Sequence, residues 1–160
     1  MQDNRVLQIP DDNYRTYYEL FVYSFYDSDG DGIGDLQGVL EKLDYLNDGD
    51  DTTDMDLGIN GIWLMPVMPS VTYHKYDTTD YENIDPQYGT LETFQELLTA
   101  CHDRGIRVIL DLAMNHSSSK HPWFLQAVEY LKNLPEGTEP DSSECPYAVS
   151  YTHLTLPTIR

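Results

Sequence analysis

The chain has 160 residues, 28 acidic against 9 basic side chains, and a formal charge of -19 at pH 7. So few Lys and Arg argue against phosphate contacts, hence against nucleic acid as a partner, and equally against an anionic membrane surface. A hydrophobic fraction of 40% can bury a core, and the length fits one domain or a piece of a larger one. No stretch is long and apolar enough to span a membrane. Met1-Gln2-Asp3-Asn4-Arg5 carries no apolar leader. That leaves localisation open, with an extracellular or cell-surface setting favoured over the cytoplasm. The 13 tyrosines and 2 tryptophans suit sugar rings, and they suit core and strand faces equally well.

After a lead-in over residues 1–16, the aromatic run Tyr17 to Phe25 predicts a strand. An Asp/Gly loop follows. Leu36, Val39, Leu40, Leu43 and Leu46 fall at helical spacing, so a helix is expected from Leu36 to Leu46. The acidic stretch Asn47 to Asp56 reads as a solvated connection. Gly61-Ile62-Trp63-Leu64-Met65, closed by Pro66, predicts a strand buried on both faces, as in a parallel sheet. A Tyr- and Asp-rich loop spans Pro69 to Thr90. Leu91 to Arg104 predicts a helix with Phe94, Leu97, Leu98 and Cys101 on one face and Gly105 as its stop. Cys101 reads as a small core residue, and a disulfide to Cys145 has little support. Ile106 to Leu112 predicts a third buried strand, and Pro122 to Leu131 a short helix. Asn133 to Pro146 is rich in Pro, Gly, Glu and Ser and reads as loop.

Strand, helix, strand, helix, strand is the order of a parallel α/β fold, either doubly wound or a (β/α)8 barrel. The first strand lacks a Gly-x-Gly-x-x-Gly turn, which weakens a dinucleotide site. A complete barrel takes roughly 250 residues, so a barrel here would be its N-terminal portion only, over residues 17–148. Residues 149–160 form a separate tail. Val149 to Thr158 contains no acid and resembles the in-frame translation of a transposon-end sequencing adapter. The other reading is an edge strand rich in Thr and Leu. The tail is therefore kept apart from the fold.

The loop Asp27-Ser28-Asp29-Gly30-Asp31-Gly32-Ile33-Gly34-Asp35 carries the strongest chemical signal. Calcium takes about six to eight oxygens in a flexible shell. Alternating carboxylates at Asp27, Asp29, Asp31 and Asp35, with the carbonyl of Ile33, offer such a set. Packed together without a cation, those carboxylates would repel. The loop departs from an EF-hand, because Gly38 stands where the bidentate Glu belongs and a strand precedes it. The third strand ends in Asp111-Leu112-Ala113-Met114-Asn115-His116, where a barrel would place its active site. Tyr73-His74-Lys75-Tyr76-Asp77 projects from the end of the second strand toward the same place. A tyrosine there can stack on a sugar or cover the loop core.

Together these segments resemble the α-amylase family of glycoside hydrolases, family 13. Asp111-x-x-x-Asn115-His116, Gly61 to Pro66, Tyr73 to Asp77 and the Asp27 to Asp35 loop followed by Leu36 and Gly38 match its motifs in order. The resemblance covers roughly Tyr17 to Leu131. Its Tyr loop departs from the family pattern, which has Gly where Lys75 stands. The resemblance implies an incomplete (β/α)8 barrel, calcium bound at the Asp27 loop, and an α-glucan or maltooligosaccharide substrate. It implies an enzyme of α-amylase, oligo-1,6-glucosidase or neopullulanase type, with a transglycosylase as neighbour. Tyr76 would stack on the sugar at subsite −1, with His74 beside it. His116 would hydrogen-bond the same sugar, Asp111 would brace the site, and Asn115 would support the following loop. A retaining glycosidase needs a nucleophile and an acid carboxylate roughly 5 Å apart. The family draws these from later strands, and Asp77, Asp80 and Glu82 match neither role. The chain alone is therefore expected to be inactive. The competing reading is a non-enzymatic calcium-binding interaction module, which calls for a helix before the loop and a second copy of it.

Overall fold

A computed structural model describes residues 7–155, with side chains as far as Tyr151. The Met1 to Arg5 segment and residues 156–158 of the tail lie outside the described residues. Strands β1 (Tyr17–Leu20), β2 (Gly61–Leu64) and β3 (Arg107–Leu110) form a parallel sheet in the order β1-β2-β3. The register aligns Leu20 with Leu64 and Leu64 with Leu110, one row up from Tyr18, Ile62 and Val108. Side chains alternate across a strand, so these rows share one face. Helices cover that face: α2 (Leu36–Glu41), α3 (Leu43–Leu46) and α4 (Leu91–Asp103). Leu20, Ile62, Leu64, Leu36, Val39, Leu43, Leu46, Leu97 and Cys101 join in one buried core.

The other face carries Glu19, Trp63 and Ile109 side by side, and it is open. Trp63 is 43% exposed and Ile109 is 46% exposed. The strands expected to be buried on both faces are therefore covered on one. β3 departs furthest, because it is an edge strand, spans only Arg107–Leu110 and leaves Leu110 and Leu112 exposed.

The first strand also stops short of Phe25. The ladder ends at the Leu20–Leu64 pair, beyond which the Met65 N–H still reaches the Leu20 carbonyl. The chain folds instead into a single helical turn, α1 (Val22–Phe25). The helix expected from Leu36 to Leu46 breaks at Lys42, whose N–H reaches back to Val39 and Leu40 carbonyls while its ammonium sits over the Tyr26 ring. Leu43 and Leu46 stay buried beyond the break, so the apolar stripe survives it.

α4 starts where the Thr90 side chain accepts the Thr93 N–H and stops at Gly105, with φ at 71°. Burial pushes the Cys101 thiol up to about 12, and both buried cysteines are free. α5 (Pro122–Asn133) packs against α6 (Pro146–Thr155) around Ala127, Cys145 and Ala148. Residues 149–155 are thus helical rather than an edge strand. The Tyr151 hydroxyl also lies 2.6 Å from Ser117 Oγ.

Candidate functional site

Asp111 follows β3 by one residue and keeps the alternation of Ile109, so it projects over the open face at the C-terminal end of the sheet. Its backbone N–H extends the ladder to Leu64. The loop after β2 brings Tyr76 across to it, and the Tyr76 hydroxyl donates to Asp111 Oδ2 at 2.5 Å. That bond, followed by burial, pushes the Tyr76 phenol up to about 12, so it stays a donor. His116 closes the triangle, with Nε2 2.8 Å from the Tyr76 carbonyl oxygen. His74 lies on the other side, its ring 5.8 Å from that of Tyr76 and its Nδ1 accepting the Tyr76 N–H. The four residues predicted for sugar contact, His74, Tyr76, Asp111 and His116, therefore meet at one place.

Tyr81 was not singled out by the sequence and belongs here. Its hydroxyl faces the carbonyl oxygens of Ala113 at 2.9 Å and His116 at 2.6 Å, pinning the loop that carries His116. Its ring also stacks on Trp123, which in turn stacks on Tyr147 and lies against His121. A cleft of about 420 Å³ opens beside them, lined by Tyr81, Met114, Asn115, His116, Trp123 and Tyr151. The only hint in the sequence was that tyrosines are many, which does not say which of them holds a backbone.

One carboxylate oxygen from each of Asp27, Asp29 and Asp35 lies within 4.8 Å of the others, a convergence of hard oxygen donors that fits a divalent cation. Among the described residues no other such group occurs. Asp31 stands outside this trio, with Oδ1 accepting the Ile33 N–H at 2.7 Å. Asp27 is held below the usual carboxylate range, first by the N–H of Gly32 and then by that of Gly30. Asp35 also caps α2 through the Gly38 N–H and accepts from Ser28. A side chain at Gly38 would place its Cβ 2.1 Å from the Tyr26 carbonyl oxygen. The twelfth position therefore cannot hold a Glu, and a single helical turn, α1, stands before the loop. The Asn47 to Asp56 stretch spends its side chains on local turns instead: Asn47 on Gly49, Asp48 on Asp50, Asp50 on Thr52 and Asp56 on Gly58.

A parallel sheet with helices on one face and polar loops gathered over its C-terminal end defines a partial (β/α)8 barrel with a polar ligand site. The chain belongs to the α-amylase family: the model of the alpha amylase catalytic domain matches residues 19–152. It is 51% identical over 111 residues to alpha-amylase 3 of Dictyoglomus thermophilum, covering 69% of this chain and 21% of that protein. It is 39% identical over 137 residues to an oligo-1,6-glucosidase of Heyndrickxia coagulans, covering 78% of this chain and 23% of that one. Among solved structures, Eubacterium rectale Amy13B superposes with a TM-score of 0.79 and 60% identity, over 90% of this chain and 26% of its own. The chain thus spans less than a third of these relatives' lengths.

Proposed function

We propose that this chain forms one wall of the sugar site in an α-glucan-acting glycoside hydrolase that cleaves O-glycosidic bonds with retention. The observation that carries the reading is the Tyr76–Asp111 hydrogen bond, with His74 and His116 flanking the tyrosine at the C-terminal end of the sheet. The aromatic ring offers a face to the sugar, and the imidazoles offer hydrogen bonds to its hydroxyls. Asp111 holds Tyr76 in place and is not free to act as nucleophile or acid. The family relatives, an alpha-amylase and an oligo-1,6-glucosidase by name, support starch-like α-1,4 or α-1,6 links as the substrate.

Asp27, Asp29 and Asp35, joined by Asp31 and the Ile33 carbonyl, would hold calcium as a structural ion, apart from the bond being cut. A bound calcium would screen the carboxylates and stiffen the start of α2. The convergence of three carboxylates supports this; the rigid Gly38 contact weighs against an EF-hand interaction module. Isothermal titration with maltotetraose tests the sugar site, and sugar release from maltooligosaccharides tests turnover. Binding without turnover is expected. Absence of binding would sink the sugar reading, and measurable turnover would sink the expectation that this chain is inactive by itself.

A further inference from the structure

Lys75 is the only non-glycine with a positive φ, 65°, among the described residues. A lysine is an unfavourable choice there, since its Cβ crowds the backbone where Gly would not. It is also 1% exposed, an unusual place for an ammonium. Its side chain accounts for both facts. Nζ donates to Asp85 Oδ2 at 2.7 Å and to Gln87 Oε1 at 2.7 Å, and stands 4.9 Å from the centroid of the Tyr88 ring.

Asp85 is itself tied to both legs of the loop after β2. Its carboxylate accepts from the Ser70 and Gln87 N–H groups, and its own N–H reaches the Val67 carbonyl. The backbone of Lys75 is held as well, by the Thr72 carbonyl on one side and the Thr78 hydroxyl on the other. The next residue in sequence is Tyr76.

We infer that Lys75 is a positioning residue: its buried ion pair with Asp85 fixes the Tyr73 to Asp77 turn so that Tyr76 meets Asp111 and His74 and His116 flank it. The inference rests on the sugar-site reading only for what the site binds, since the positioning itself is measurable without a ligand. A buried pair relieved of one partner leaves an uncompensated charge, so the turn cannot keep its geometry once the lysine is gone.

The test is NMR on the whole 160-residue chain at neutral pH, following the Tyr76 hydroxyl proton assigned by its loss in Tyr76→Phe. A hydroxyl bonded to a carboxylate gives a downfield signal that exchanges slowly with water. Lys75→Gly keeps the left-handed backbone accessible and removes the ammonium. It is expected to raise exchange of that proton by about tenfold or more, because local opening sets the rate. Gln87→Ala removes one of the two acceptors from a solvent-facing residue and should raise exchange less. Arg15→Ala, at the far end of the sheet, is the control for general destabilisation; it should lower the melting temperature without changing Tyr76 exchange.

If Lys75→Gly fails to fold, Gln87→Ala decides alone. Unchanged Tyr76 exchange in the folded variants overturns the proposal, as does a wild-type Tyr76 proton that is never protected. Wild-type protein that protects Tyr76 yet binds no maltotetraose refutes the sugar reading and leaves the positioning role standing.

Discussion

The two ends of the sheet are built on different principles. At the N-terminal end a single buried side chain, Arg15, donates to the backbone carbonyls of Asn60 and Gly105, binding the starts of β2 and β3 into one corner. Carbonyl acceptors do not depend on which residues supply them. At the C-terminal end the bonds run from side chain to side chain or from side chain to loop backbone: Tyr76 to Asp111, His116 to Tyr76, Tyr81 to the His116 loop, Lys75 to Asp85. The Tyr76–Asp111 and Lys75–Asp85 bonds depend on the identity of both partners, while those of His116 and Tyr81 end on loop carbonyls and depend on one. One end ties strand starts together through backbone acceptors, and the other gathers specific side chains at one corner. In a barrel this is the division between the stability face and the active-site face.

The comparison predicts that stability and binding separate by position. Arg15→Ala should cost about 3 kcal/mol in denaturant unfolding, since two charge-assisted hydrogen bonds to carbonyls are lost together with the exposed ion pair to Asp12, while maltotetraose affinity of the folded protein is unchanged. A loss of affinity would break the division. Calcium at a hundred times its dissociation constant should raise stability by about 2.7 kcal/mol. Asp35→Ala should abolish that response, because Asp35 is both a ligand candidate and the cap of α2. Without calcium it should still cost about 1–2 kcal/mol for the lost cap, read by thermal melting. Tyr76→Phe removes the bond to Asp111, so it should lower stability by about 1–2 kcal/mol in denaturant unfolding and weaken maltotetraose binding by about fivefold as the ring loses its anchor. A fall in stability with unchanged affinity would mean the tyrosine only covers the loop.

The smallest effect concerns pH. His121 caps α5 by accepting the Trp123 N–H on Nδ1, which requires a neutral ring. Burial holds its pKa below the ordinary value of 6.5, against the pull of Asp80. A lowered folded pKa means stability is present above the unfolded value and is lost as pH falls through the folded one. Acidification from pH 7 to pH 5 should therefore loosen α5, seen in Trp123 fluorescence. His121→Asn, which keeps a capping acceptor, should remove that dependence.

The sequence carried the strand and helix order well, because strong periodicity specifies it, and the family motifs singled out His74, Tyr76, Asp111 and His116, which the structure brings together. Leu91 to Arg104 is one such case: its stripe of Phe94, Leu97, Leu98 and Cys101 needs only a helix to become a face. It did not carry the fate of the open face, since Trp63 and Ile109 read as buried when no neighbour is known. Nor did it show α1, which lies inside an aromatic and β-branched run that reads as strand. Lys75 drew notice only as a departure from glycine, because a buried ion pair ten residues long leaves no periodic trace. Arg15 escaped altogether, as two of its partners are backbone carbonyls far along the chain and carry no sequence signature.

The Lys75–Asp85 pair also has a consequence for biosynthesis. Closing a loop costs more entropy as the loop lengthens, and ten residues separate this pair while 35 separate Tyr76 from Asp111. As the chain leaves the ribosome, Asp85 emerges 26 residues ahead of Asp111, the difference between positions 111 and 85. The turn that aims Tyr76 is thus able to set before its partner carboxylate has emerged, so this corner assembles in the order in which it is translated.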